Sequence, residues 1–293
     1  MARKVATFVE RDRRWLGQGK GLGRGNSYLP FLNVRSGPHS DVARHDGHVT
    51  GRIHHSFGPY EPIILQFFDA LDIYDRDLVV TDILEQYPLV PTANPATNPT
   101  AVTREIAERL GIPHPPKSRA DDFVVLTTDL VVFMHVGARE LVLALCIKLS
   151  ADLEDVRVRQ KLEIERRYWQ DRRLDGRETF WYLVTERDVP RRLVDNLSRL
   201  ARARSIKTYT PPESSMTERI RTLLEEALDS RPLGRVAREV DRKLALQPGT
   251  AIDVAYWLIA VRRWHVDLVE HRVHPDERLV LLKTGESTEV TSG

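Results

Sequence analysis

From Tyr60 onward the apolar residues fall into a helical pattern. Ile63, Ile64, Phe67, Phe68 and Leu71 recur at i, i+1, i+4, i+5 and i+8, and Glu61-Pro62 ahead of them suits a helix start because proline fits the first turn. "DLVVTDILEQYPLV" then predicts a strand running to Pro88. Residues 88–116 hold seven prolines around one short helical pattern near 101–110, which leaves open an ordered excursion or a loose loop. Two strands follow, about 123–134 and 141–148, joined by "HVGARE". A symmetric hairpin centred between Ala138 and Arg139 sets Asp129 directly opposite Lys148, and Cys146, roughly 6.6 Å before the lysine along the strand, shares that face. A helix over about 155–170 and an apolar strand "TFWYLVTE" complete a running order of helix, three strands, helix, strand to residue 187.

Beyond Pro190 the pattern turns helical in "PRRLVDNLSRLARAR", "MTERIRTLLEEALDS", "LGRVAREVDRKLA" and "TAIDVAYWLIAVRRW", while "HVDL" and "ERLVLLK" predict a terminal β-ribbon. The expectation is therefore an α/β domain over 1–187 followed by a mainly α domain of winged-helix form over 188–293, with "TPPESS" as a hinge. A length of 293 residues allows one large domain or two modest ones.

Charge changes this picture through its distribution. The formal net charge is only +2, but arginine outnumbers lysine 36 to 8, and arginine is the better fork for phosphate and carboxylate. Seven basic residues fall in the first 24 positions against two acids, which predicts a basic arm. "GQGKGLGRGN" lacks the Lys-Ser/Thr ending of a P-loop and no strand precedes it, so it reads as a flexible basic loop, with Arg13, Arg14, Lys20 and Arg24 as candidate DNA-backbone contacts. A single cysteine excludes an internal disulfide framework and any CxxC zinc site, and fits a reducing cytoplasm. The N-terminus shows no apolar h-region, and the longest apolar segment is interrupted by Asp129 and too short to span a bilayer. A soluble, cytoplasmic protein with no membrane partner is expected.

Three polar residues sit where apolar ones would be expected: Glu61 at a helix start, Asp129 inside a β-rich run and Lys148 at the end of another. An acid on a helix, an acid on a strand and a lysine two beyond a third ligand position is the arrangement of the PD-(D/E)xK nucleases. Two carboxylates hold a hard Mg²⁺, which keeps water and substrate phosphate in its remaining places, and lysine is a compact charge that can position the attacking water and offset transition-state charge. On spacing alone, Asp129 can equally be a hydrogen-bonded strand acid and Lys148 a strand-end lysine reaching for solvent.

Several stretches decide between these readings: "GRGNSYLPFLNV", "GHVTGRIHHSFGPYEPIILQFFD", "DILEQYPL", "TREIAERLGIPHP", "TTDLVV", "IKLSADLED" and "KLEIERRYW". They lie between residues 17 and 169, and in that order they resemble the TnsA family, the endonuclease subunits of two-protein cut-and-paste transposases. The resemblance implies a restriction-endonuclease-like catalytic domain, a C-terminal winged-helix domain and dependence on Mg²⁺, one or two ions, with Mn²⁺ as a substitute. It assigns the family's catalytic acids to Glu61 and Asp129 and its lysine to Lys148. It implies nicking at the 5′ ends of a transposon beside a TnsB-type DDE transposase that cuts and joins the 3′ ends, and a TnsC-type AAA+ regulator. The family usually has glutamine two before the lysine, where this chain has Cys146. That thiol either fills space while a main-chain carbonyl completes the metal shell, or is a soft, poor ligand.

Glu85 and Glu165 match family motifs as possible accessory acids, or make ion pairs. Arg166, Arg167 and Tyr168 face DNA or solvent. His54 and His55 invite a zinc reading that no second His or Cys cluster supports. Trp257, Leu258 and Ile259 read as core, and Arg262, Arg263 and Arg272 as contacts to phosphate or protein. A catalytically weakened scaffold subunit and a stand-alone resolvase or restriction-type nuclease remain as alternative functions.

Overall fold

A five-stranded sheet frames the first part of the chain, and helices pack over it. The computed structural model describes residues 8–32, 42–58, 60–115, 123–170, 172–204, 215–228 and 231–282. In chain order the elements up to residue 184 are α1 (Phe8–Gly17), β1 (Val42–Asp46), β2 (Ile53–Phe57), α2 (Glu61–Asp69), α3 (Leu71–Tyr74), β3 (Leu78–Pro88), α4 (Ala101–Arg109), β4 (Thr127–Val136), β5 (Arg139–Ile147), α5 (Val156–Trp169), β6 (Arg173–Leu174) and β7 (Arg177–Val184). The sheet order is β3-β4-β5-β7-β6. All pairs are antiparallel except β5 with β7, which the α5 crossover makes parallel. β1 and β2 form a separate hairpin that sequence periodicity did not predict.

Leu130, Val131, Val132 and Phe133 of β4 are all essentially inaccessible, which explains why this strand is a continuous apolar run instead of an alternating one: both faces are covered. On one side Ile106, Ala107, Ile164, Tyr168 and Trp169 from α4 and α5 pack on Leu84, Val131, Phe133, Val142 and Ala144. α2, with Ile64 and Leu65 fully buried, lies against β3 and β4. Each such side chain contributes about 1.5–3 kcal/mol.

The β4–β5 turn is two residues long, Gly137-Ala138, with pairs running from Val136↔Arg139 to Leu130↔Leu145. Gly137 takes φ 57°, a left-handed value that glycine adopts without penalty and that two-residue hairpins demand. The turn is therefore centred one residue earlier than expected, and continuing the ladder brings Cys146, not Lys148, opposite Asp129. Because the partner moves by two positions, the face is preserved.

The expected loop at 17–26 is anchored at Gly21 while Gly17, Gln18, Gly23 and Asn26 stay exposed. Leu16 is buried with Phe31, Val90 and Val125, and a Cβ added to Gly21 would come within 2.4 Å of the Pro88 ring. Residues 1–7 of the proposed basic arm lie outside the described residues, and much of the remainder is α1.

The second unit consists of Ile73–Arg76 and Pro190–Gly293. It contains α6 (Arg191–Arg204), α7 (Ser215–Glu225), α8 (Leu233–Lys243) and α9 (Thr250–Ala260). α9 is apolar nearly all round and is surrounded by the other three helices. Its first turn is capped by buried Asp241, which accepts the Gly249 and Ala251 N–H groups at 2.8 Å each. The expected terminal ribbon is absent among the described residues: there is one isolated bridge, Pro232↔Arg278, and a Leu282 N–H bond to the His265 carbonyl. Most of the expected hinge, 210–214, lies outside the described residues. Among the described residues no helix is long and apolar enough to cross a membrane.

Candidate active site

The ends of β4 and β5 supply the two side chains that define the site. Asp129 Oδ2 accepts the Ile147 N–H at 2.7 Å and the Lys148 ammonium at 2.8 Å. Lys148 Nζ also donates to the Ile147 carbonyl at 2.7 Å, and the Lys148 N–H reaches the Val184 carbonyl of β7 at 3.0 Å. The lysine is therefore fixed from both neighbouring strands. Burial alone would favour its neutral form, but Asp129, with Cys146 and Glu165 behind it, raises the pKa and keeps the ammonium charged.

Glu61 enters from the first turn of α2, where Pro62 needs no N–H partner. Its Oε2 accepts the Phe57 N–H at 2.7 Å. Burial, then repulsion from Asp129, pushes its pKa up to about 8, against the opposing pull of Phe57 and Lys148. Two buried carboxylates thus share one ammonium.

A third acid stands behind them. Glu165 of α5 accepts the Thr128 hydroxyl at 2.7 Å, and Thr128 in turn accepts the Trp169 indole N–H at 2.8 Å. Indole can only donate, so the hydroxyl proton must point to Glu165. Burial and the Asp129 charge push the Glu165 pKa up to about 7. Cys146 is buried beside the same carboxylate, and burial followed by the Glu165 and Asp129 charges raises its thiol well above the usual range. A thiol held protonated is a poor partner for a hard cation.

The donor set fits an Mg²⁺-type ion: Glu61, Asp129 and the Ile147 carbonyl are all hard oxygens, and the surplus negative charge is what a divalent cation would neutralise. Among the described residues no three His, Cys, Asp or Glu side chains converge on a metal position, so an ion held here would have two carboxylates and main-chain oxygen as its protein ligands.

Glu85 is engaged elsewhere. Arg52 holds it bidentately at 2.8 Å to each oxygen and His54 Nδ1 lies at 2.9 Å. Burial would raise its pKa, but these bonds pull it down to about 2. His54 is fully buried with Nε2 at 2.6 Å from Thr50 Oγ1, a satisfied core histidine and not a zinc ligand set. Arg52, Thr50, Thr128 and Trp169 were not singled out from sequence. Only the aromatic end of "IERRYW" hinted at the last.

The basic candidates divide. Arg13 and Arg14 are exposed on α1. Lys20 lies 4.5 Å from the Trp15 ring centroid. Arg24 stacks 3.5 Å over Phe133 and pairs with Asp82 and Asp175. Arg166 and Arg167 both bind Glu163, and the Tyr168 hydroxyl is buried on the Val90 carbonyl. Arg262 donates to the Tyr74 carbonyl and Arg263 to Glu218, while Arg272 is exposed. Trp257 is partly buried beside the core residues Leu258 and Ile259.

Comparison with known proteins shows the family. Residues 77–186 match the family described as TnsA-like endonuclease N terminal, and residues 188–268 match TnsA endonuclease C terminal. The chain is 31% identical over 258 residues to the Transposon Tn7 transposition protein TnsA of Escherichia coli, an alignment covering 87% of this chain and 81% of that protein.

Proposed function

Because the chain belongs to the TnsA endonuclease family, we propose that this transposon-end endonuclease nicks the 5′ ends of its element by metal-dependent hydrolysis of one strand. Glu61, Asp129 and the Ile147 carbonyl would hold Mg²⁺, one or two ions with Mn²⁺ as a substitute, and the ion would supply charge to acidify the attacking water and offset the scissile phosphate. Lys148 is already charged and held at 2.8 Å from Asp129, so its ammonium is placed to orient that water and to meet charge as it develops on the phosphate. Glu165 and Thr128 keep the back of the site hydrogen-bonded and dry. Cys146 occupies the third ligand position without acting as a ligand, since burial and the neighbouring Glu165 and Asp129 charges keep its thiol protonated.

The partners in this reading are DNA at the transposon ends, a TnsB-type DDE transposase and a TnsC-type AAA+ regulator. The C-terminal unit, read as a winged-helix derivative that lacks strand wings among its described residues, would contact the regulator and DNA. The weakened-scaffold alternative requires Cys146 to disable the site, and the hard oxygens of Glu61, Asp129 and the Ile147 carbonyl, which need no sulfur ligand, favour the catalytic reading.

The convergence of Glu61, Asp129 and Lys148 carries the proposal. Asp129→Ala should abolish strand-specific nicking of a labelled transposon end in the presence of the TnsB- and TnsC-type proteins, and should abolish Mg²⁺ binding in calorimetry of the purified chain. Wild-type nicking or wild-type Mg²⁺ binding by that variant would overturn the assignment.

A further inference from the structure

The outward face of α8 carries more positive charge than its acids can balance. Its inward face, Leu233, Val236, Ala237 and Val240, is buried. Arg235, Arg238 and Arg242 are all exposed. At 100° per residue they fall within an arc of about 60°, spread over about 10 Å of helix. Helical neighbours three and four apart repel when their charges are alike, and a cation in the first turn, where Arg235 sits, opposes the helix macrodipole. Only Arg242 lies where the dipole favours it.

One acid, Glu239, serves the row, and it is shared with Arg231. Glu239 is drawn to Arg231 at 2.5 Å and lies 3.7 Å from Arg235. Asp241, the other acid of α8, is buried as the cap of α9. Arg238 has no acidic partner among the described residues, and the side chain of Arg242 makes a 3.5 Å contact with the Arg238 carbonyl and no ion pair, Glu239 acting on it from longer range. α7, by contrast, balances Arg221 with Glu218 and Glu225.

We propose that Arg235, Arg238 and Arg242 form a contact strip for the phosphate backbone of duplex DNA. Three exposed guanidiniums in a row match the spacing and bidentate geometry of successive phosphates, and arginine at all three places favours phosphate over mere solubility. The strip rests on the endonuclease reading for the identity of its polyanion, but not on the metal site. It positions DNA without reading sequence, as phosphate contacts do.

The test is the salt dependence of binding of the full chain to a 30-base-pair duplex by fluorescence anisotropy. Arg235→Gln/Arg238→Gln/Arg242→Gln should reduce the log–log slope by about 2.7, so that between 50 and 200 mM salt the wild type loses about 40-fold more affinity than the variant. Removing like-charge repulsion should leave melting unchanged or higher. The triple lysine replacement should keep most of the slope. Equal slopes for wild type and the glutamine variant overturn the strip. A variant that keeps the slope but fails to assemble with the regulator shows an acidic protein surface to be the partner, and also overturns it. A wild type that nicks transposon ends yet shows no dependence on these arginines leaves the endonuclease reading standing; one that neither binds nor nicks removes both.

Discussion

Replacing Glu61 by glutamine is expected to stabilise the metal-free protein while abolishing its cleavage. The carboxyl has a pKa of about 8 in the fold against an ordinary 4.5, so between these values the folded chain holds a proton that the unfolded chain has released. Stability then falls as pH rises from 4.5 and levels off above 8. At about 1.4 kcal/mol per pH unit, the cost accumulated by neutral pH is about 3 kcal/mol. The amide of the Glu61→Gln variant does not titrate and keeps an oxygen for the Phe57 N–H. Urea unfolding in EDTA at pH 5, 6, 7 and 8 measures the gap between variant and wild type, which should widen with pH by about 1.4 kcal/mol per unit at most. Glu165, also raised, titrates in both proteins and drops out of the difference. Saturating Mg²⁺ should restore the wild type, by about 2.7 kcal/mol at a hundredfold excess over Kd, and do far less for the variant. A gap that does not change with pH, or a variant less stable than wild type at pH 7 to 8, would refute the view that burial and the Asp129 charge outweigh the shared Lys148 ammonium at Glu61.

Other outcomes follow from the same contacts. Lys148→Met should lower nicking by about 10²- to 10³-fold with DNA affinity retained, and undiminished single-turnover cleavage would exclude the ammonium from the transition state. Glu85→Gln leaves Arg52 charged and buried beside a neutral amide, so it should cost about 3–5 kcal/mol of stability while the activity per folded molecule persists; an unchanged Tm would count against the ion pair. Cys146→Ala should cleave with Mg²⁺ within a few-fold of wild type, whereas a loss beyond a hundredfold would make the sulfur a required ligand.

What the chain reveals about itself depends on how local each feature is. The helix at Glu61 and the β4–β5 hairpin were legible because proline placement and apolar runs are local signals, and they suffice to bring Asp129 and Lys148 together. The exact register was not, because "HVGARE" permits two turn centres and only the left-handed backbone of Gly137 selects one. The β1–β2 hairpin escaped because "VARHD" and "IHHSF" show no apolar alternation. His54 is buried there by Glu85 and Thr50, which are 31 residues and 4 residues away. Glu85 was ambiguous for the same reason, its carboxylate being claimed by an arginine that no spacing rule identifies. Arg24 looked like part of a solvated arm because the sequence cannot show Phe133, Asp82 and Asp175 closing around it. At the C-terminus two apolar stretches suggested a ribbon, but one of them instead donates Leu268 to the buried core, with its carbonyl tied to Asn196.

The two anchors of Lys148 also fix an order of assembly. The Asp129–Ile147 bond closes a short hairpin spanning 18 residues, whereas the Lys148–Val184 bond waits for the α5 crossover to deliver β7, and Glu61 must dock from a helix made long before either. Local hairpins form early and parallel pairings late, because loop-closure entropy is lost before distant contacts repay it. In refolding followed by pulse-labelled exchange, the Ile147 amide should gain protection before the Lys148 amide, and the capacity to bind Mg²⁺ should lag behind both. On this order, a half-made copy of the chain would bring its lysine and aspartate together before the site is complete, and cleavage would wait for the last long-range contact.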